Sequence, residues 1–174
     1  MVSLTDYIRE VPDFPVPGIL FYDITTLIQN GDMFREAIRQ LAEKVKSWAP
    51  IDLIAAPEAR GFIFAAPLAA ELGAGLIPIR KPGKLPFKTI SKSYDLEYGT
   101  NTVQMNIDAI QPGKRVLLVD DLLATGGTME ACRQLVVECG GQVIGAAFII
   151  ELLFLNGRNK IKMDKIETLI KYEK

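Results

Sequence analysis

The stretch Val116–Thr128, VLLVDDLLATGGT, decides the fold. Val116–Val119 are four aliphatic residues that read as a strand crossing a hydrophobic core, and two carboxylates, Asp120 and Asp121, stand where that strand is expected to end. Ala124-Thr125-Gly126-Gly127-Thr128 then opens a helix expected to run from Gly127 to Cys139 and to stop at Gly140-Gly141. Small residues let the backbone approach a ligand closely. The N–H groups of the loop and of the first helical turn, with two Thr hydroxyls, make a phosphate cradle. An acidic pair beside such a cradle suits a ligand with phosphate at one end and hydroxyls or Mg²⁺ next to it. The alternative is a Gly-rich turn whose acids are merely solvated.

Working outward, short apolar runs at 51–56 (IDLIAA), 75–79 (GLIPI), 115–119 (RVLLV) and 142–150 (QVIGAAFII) are the other strand candidates. Between them, 32–48 has helical periodicity with Asp32 as N-cap and Met33, Phe34, Ala37, Ile38, Leu41, Val45 and Trp48 on one face. Residues 61–72 (GFIFAAPLAAEL) are apolar nearly all round, which predicts a buried helix. Strands alternating with helices imply an α/β fold, a parallel sheet covered on both faces, whose ligands bind outside the carboxyl ends of the strands. Two segments break the alternation. Residues 11–26 are Pro-rich and then apolar, an ordered loop leading into a short strand; residues 80–106 form a long connection expected to be a flexible hairpin around SYDLEYG. The tail 156–174 mixes lysines with acids and reads as a solvated face over a closing element.

Each strand exit carries chemistry. The 51–56 strand leaves through Pro57-Glu58-Ala59-Arg60-Gly61 into a helix, a second candidate anion site. The 75–79 strand leaves through Arg80-Lys81-Pro82-Gly83-Lys84, followed by Lys88 and Lys92, so five of the chain's 20 basic residues fall in thirteen positions without an acid. Three anion-seeking exits together imply a polyphosphate ligand. No GxxxxGK[ST] occurs, and GAGLIP at 73–78 precedes its strand instead of following it, which argues against an ATPase or a dinucleotide enzyme.

The 174 residues suit a single domain, and 49% hydrophobic with 24% charged residues is an ordinary globular balance. A net charge of −1 makes any anion affinity local and gives no reason to expect nucleic-acid binding. The N-terminus lacks the pattern of a signal peptide, and no apolar run is long enough to span a bilayer, so a cytoplasmic location and no membrane partner are expected. Cys132 and Cys139 lie seven apart on one helix, beyond disulfide reach, and are expected to be buried thiols. There is no histidine, so proton transfer must fall to Asp, Glu, Lys or Tyr.

VLLVDDLLATGGT resembles the signature for phosphoribosyl pyrophosphate (PRPP) of the type I phosphoribosyltransferases. More narrowly, DFPVPGILFYDIT at 13–25, EARGF at 58–62, IRKPGKLP at 79–86 and SYDLEYGT at 93–100 resemble the adenine phosphoribosyltransferase family in order and spacing, from about residue 5 to the end. The resemblance implies a twisted parallel sheet flanked by helices, a small N-terminal hood over about 5–26 and a mobile catalytic loop within about 87–106. It implies transfer of phosphoribose from PRPP to adenine with Mg²⁺ held mainly by the substrate, giving AMP and pyrophosphate, in a homodimer. Carried onto this chain, the 5′-phosphate sits on Ala124, Thr125, Gly126, Gly127 and Thr128, and Asp120 and Asp121 face the ribose. Pyrophosphate lies among Glu58, Ala59, Arg60, Arg80, Lys81 and Lys84; adenine lies on Ile19, Leu20, Phe21 and Tyr22, largely through main chain. Tyr94, Glu97 and Tyr98 belong to the loop, with Glu97 the candidate for handling the purine proton and the tyrosines packing as a hood. Tyr22 stands where many members carry Arg, and the family often has a cis peptide in the loop that corresponds to Glu58-Ala59.

Adenine suits main-chain reading, because one backbone N–H and one C=O match its N1 acceptor and 6-amino donor, whereas a 6-oxo purine presents the wrong pattern. A buried backbone group left unpaired costs about 1–3 kcal/mol, enough for roughly 10- to 100-fold discrimination. The rivals are a relative that uses xanthine, hypoxanthine or guanine, and a PRPP-binding regulator without turnover.

Overall fold

The strand that contains Val116–Val119 is the third of five in a parallel sheet, so the deciding stretch runs through the middle of the molecule. The computed structural model describes residues 2–95 and 99–174. An antiparallel pair, β1 (Arg9–Pro12) and β2 (Leu20–Asp23), comes first, followed by α1 (Thr25–Gln29) and α2 (Gly31–Val45). Then come β3 (Leu53–Pro57), α3 (Arg60–Leu72) and β4 (Gly75–Ile79), and an antiparallel hairpin of β5 (Thr89–Asp95) and β6 (Thr100–Asn106). The chain closes with β7 (Arg115–Leu123), α4 (Gly127–Glu138), β8 (Gln142–Leu152) and β9 (Ile166–Tyr172). The sheet order is β4-β3-β7-β8-β9, all parallel.

Alternation along β7 splits the core in two. Leu117 and Val119 pack with Ala37 and Leu41 of α2 and Phe64 and Leu68 of α3 on one face. Val116 and Leu118 pack with Cys132, Leu135 and Val136 of α4 on the other, where Val103 and Met105 of the hairpin join them. The near-continuous apolar strands thus have both faces covered, as expected of a parallel sheet. Among the described residues, no helix is long and apolar enough to cross a membrane.

Several expectations are corrected. The N-cap of α2 is Asn30, not Asp32: Asn30 has extended backbone and its Oδ1 accepts from the Met33 N–H at 3.2 Å, while Asp32 is already helical and pairs with Arg35 at 3.1 Å. The α3 helix is buried on one face only, with Ala66 and Ala70 exposed, because alanine methyls tolerate water well enough for an apolar helix to lie in an outer layer. The central strand does not end before the acidic pair. Pairing with the eleven-residue β8 carries it to Leu123, so Asp120 and Asp121 lie inside β7. The tail holds a fifth sheet strand, β9, whose Thr168 and Ile170 face inward while Lys171 is exposed; charged residues on an edge strand disguised it. Cys132 is buried and Cys139, at the end of α4, is half-buried, both as free thiols.

Candidate active site

From β3 the chain moves outward through α3 to β4, and from β7 it moves the opposite way through α4 to β8. The β3/β7 boundary is therefore the switch point, where sheets of this kind open a crevice at their carboxyl ends. Pairing between the two strands is registered only from Leu53–Val116 to Ala55–Leu118, although β7 continues five residues further along β8. Asp120, Asp121 and the Glu58-Ala59 peptide, which is cis, all lie at this opening.

Residues 124–128 lead from β7 into α4 as expected, with Gly126 at φ +81°, a left-handed conformation that glycine adopts without strain. The first-turn N–H groups of α4 have no partners earlier in the helix, which suits an anion. A small cavity of about 80 Å³ lies here, lined by Ala124–Thr128 together with Asp120 and Phe148. Asp121, only 3% exposed, sends Oδ2 to within 2.9 Å of Arg60 Nε without an aligned hydrogen bond. Asp120 Oδ1 accepts from the Asp121 N–H at 2.9 Å. Burial pushes both carboxyls up; the negative charge of Asp121 adds to the shift at Asp120, while Arg60 opposes the shift at Asp121. Gly61 permits the fit, since a Cβ there would meet Asp120 Oδ1 at 2.9 Å.

At the exits of β3 and β4, Glu58 faces the basic loop. Arg80 Nε donates to Glu58 Oε2 at 2.7 Å, the Lys81 N–H donates to Oε1 at 3.1 Å, and Arg80 Nη1 donates to the Lys84 carbonyl at 3.2 Å. Burial raises the Glu58 carboxyl, but these donors and cations outweigh it and hold the group below its usual range. The Glu58 carboxylate thus braces the cations instead of pointing at their ligand.

A larger cavity of about 430 Å³ lies under the β1–β2 pair, lined by Phe21, Phe14, Asp23, Thr25, Arg60 and Ile63 among others. Phe14 meets Phe21 edge-on at 5.0 Å, and the Arg60 guanidinium lies 5.7 Å from the Phe21 ring centroid. Arg60 therefore joins this cavity to the acidic pair. The four residues assigned to a base do not behave alike. Phe21 lines the cavity, whereas Tyr22 turns into the core, stacked on Tyr172 at 3.8 Å with its hydroxyl donating to the Lys174 carbonyl at 2.7 Å. The Ile19 N–H is taken by the Val16 carbonyl at 3.3 Å. Among the described residues no strand pairs with the second edge of β2, which leaves main chain of residues 20–22 facing away from β1.

The expected hairpin is present, but Tyr94 is not part of a hood over the base cavity. Its hydroxyl accepts from Thr128 Oγ1 at 3.0 Å, against the 124–128 loop, and Lys92 pairs with Glu138 of α4 at 2.6 Å. Glu97 and Tyr98 lie outside the described residues. Sequence reasoning missed Phe14, Asp23 and Thr25 of the cavity. The Asp23 carboxylate accepts from both the N–H and hydroxyl of Thr25 at 2.9 and 2.5 Å, an Asp-x-Thr turn signal present in DIT at 23–25. Among the described residues no three His, Cys, Asp or Glu groups converge as a metal cage. Asp121 Oδ2 is taken by Arg60, whereas Asp120 lines the small cavity, so its carboxylate suits the hydration shell of a divalent cation held mainly by a ligand's own oxygens.

The phosphoribosyl transferase domain family matches residues 23–170. Adenine phosphoribosyltransferase of Acetivibrio thermocellus is 53% identical over 98% of this chain and 100% of its own length, and that of Brevibacillus brevis is 54% identical over the same shares. The crystal structure of adenine phosphoribosyltransferase from Thermoanaerobacter pseudethanolicus superposes with a TM-score of 0.94 at 50% identity, covering 97% of this chain and 98% of that one. The Giardia lamblia enzyme complexed with 9-deazaadenine gives 0.92 at 30% identity, covering 100% of both chains. With the cradle, the basic exits and the cavity in the order of its motifs, the chain belongs to the adenine phosphoribosyltransferase family of the type I phosphoribosyltransferases.

Proposed function

We infer that the protein transfers the 5-phosphoribosyl group from PRPP to adenine, forming AMP and releasing pyrophosphate, a purine-salvage reaction. The observation that carries the reading is the convergence at one crevice of a small-residue loop opening a helix, a buried acidic pair, a braced basic loop and a cavity lined by Phe14 and Phe21, bridged by Arg60. Relatives named for this activity match over nearly the whole chain.

In this reading Ala124–Thr128 bind the 5′-phosphate and Asp120 and Asp121 accept from the ribose hydroxyls, whose donors relieve the burial of two adjacent carboxylates. Adenine enters the cavity against Phe21 and is read by main chain of residues 20–22. Arg60, Arg80, Lys81 and Lys84 take up the negative charge that develops as the C1′–O bond to pyrophosphate breaks. Mg²⁺ bound together with PRPP beside Asp120 and the cations of Arg60, Arg80, Lys81 and Lys84 would supply further charge neutralisation. Glu97 handles the purine proton, and the 87–106 hairpin moves to exclude water that would otherwise hydrolyse PRPP. One catalytic domain in a cytoplasmic homodimer completes the proposal, and the exposed Ala66 and Ala70 side of α3 suits a partner copy.

The test gives purified protein PRPP, Mg²⁺ and each purine in turn and measures pyrophosphate release. Adenine turns over well above hypoxanthine, xanthine and guanine; equal rates would sink the base assignment, and no turnover with any base would favour the regulator. In the same assay Glu97→Gln lowers kcat by about 10²-fold or more, and an unchanged rate removes Glu97 from the mechanism.

A further inference from the structure

We propose that the segment 156–162, which follows β8, is the back wall that shapes the phosphate loop, with Gly157 and Arg158 as positioning residues for the 5′-phosphate. The proposal rests on the assignment of that phosphate to Ala124–Thr128.

The two backbones touch with no side chain between them. A Cβ on Gly157 would run into the Ala124 carbonyl oxygen and meet Leu123 Cδ1 at 2.9 Å. From the other side, a Cβ on Gly126 would run into the Gly157 carbonyl oxygen and meet Ile161 Cγ1 at 3.1 Å. A loop of Ala, Thr and Gly has little side-chain bulk with which to hold its own shape, and Gly126 widens the choice of backbone conformations further. Its form must come from what it rests on.

That support is itself tied down at both ends. Arg158 Nε and Nη2 both donate to the Glu151 carboxylate at the end of β8, Nη2 at 2.7 Å, and Nη1 donates to the Ile166 carbonyl at 2.9 Å. Thr168 of β9 adds its hydroxyl to Glu151 Oε2 at 3.0 Å, within a site where Glu151 is 3% exposed. At the far end the Lys162 N–H donates at 3.2 Å to Glu130 Oε2, in the first turn of α4, and Arg133 and Gln134 hold that carboxylate. The wall therefore links β8 and β9 to α4, while the loop it supports joins β7 to the same helix. Arg158 touches no part of the small cavity; it acts through Gly157.

The experiment compares Gly157→Ala, Arg158→Gln, Arg158→Lys and, as a direct change to the loop, Thr125→Ala. Calorimetry reads the affinity for ribose 5-phosphate, and steady-state rates give KM for PRPP and for adenine separately. Gly157→Ala and Arg158→Gln weaken ribose 5-phosphate and raise KM for PRPP by about 10-fold or more, with KM for adenine within about two-fold. Arg158→Lys recovers part of the loss, since an ammonium still pairs with Glu151 but cannot also reach the Ile166 carbonyl in a fixed fork. Unchanged ribose 5-phosphate affinity in the wall variants, with Thr125→Ala weakened, overturns the proposal while leaving the cradle assignment standing. Unchanged affinity in Thr125→Ala as well overturns the assignment and the proposal together. If Gly157→Ala does not fold, the two Arg158 variants decide; KM values for PRPP and adenine that rise equally, in step with lost thermal stability, mark a purely structural role and overturn the proposal.

Discussion

Arg60 and Glu58 leave the same turn and do opposite work. Arg60 lies between the aromatic cavity and Asp121, so one guanidinium spans the two halves of the crevice. Glu58 turns toward Arg80 and Lys81 and sets where their charge sits. Glu58→Gln leaves the shape intact but aims an amide NH₂ at one of the two donors, so the basic loop loses a charge-assisted contact of about 1.5–3 kcal/mol. The expected result is a fall of about 10-fold or more in kcat/KM for PRPP with KM for adenine nearly unchanged, read from steady-state kinetics. A fall confined to adenine would mean that Glu58 serves the base. The motif EARGF marked the residue in the sequence, but a carboxylate in a motif does not say whether it meets ligand or protein.

At the scale of elements, the hairpin is fastened to α4. Lys92–Glu138 and Tyr94–Thr128 fasten β5 along the helix, and the second contact uses a hydroxyl that the proposed function also assigns to the 5′-phosphate. Thr128 has one proton to donate, so a bound phosphate competes with Tyr94 for it. Tyr94→Phe removes the competitor, and a net hydrogen bond of about 1 kcal/mol corresponds to KM for PRPP lowered about five-fold. A raised KM would show instead that Tyr94 helps to bind the phosphate. The hairpin was legible from its length and its alternation around SYDLEYG. Its docking onto α4 was not, because that contact joins residues 34 apart in the chain.

Acid stability belongs to the whole molecule. Burial raises the Glu130 carboxyl, but Arg133, Gln134 and the Lys162 N–H outweigh it and bring it down to about 2, against about 4.3 for a free glutamate. Glu151 shifts the same way, with burial outweighed by Arg158 and Thr168. A depressed folded-state value means that the stabilisation is present above the unfolded value and is lost as pH falls from about 4.3 through 2. Urea unfolding across that window should show wild-type stability dropping, and Glu130→Gln should be less stable at neutral pH with a shallower acid decline. Equal slopes would show that Glu130 is not linked to folding. Asp120 and Asp121 run the other way: raised by burial, they lower stability as pH rises through their folded values.

By itself the sequence determined the parallel sheet, the glycine-rich and charged strand exits and the family, because periodicity, glycine placement and charge are local properties of VLLVDDLLATGGT, EARGF and RKPGK. The α2 cap and the length of β7 were misread by a few residues because both depend on partners, the extended backbone at Asn30 and the long β8. Only the tertiary structure decided that Tyr22 turns inward onto Tyr172, that Glu58 braces Arg80, and that β9 hides in a charged tail. It alone placed Gly157 against Ala124 and Gly126, some thirty residues apart. A side chain's direction, and the close approach of two glycines, are set by contacts between distant segments. No local pattern records them.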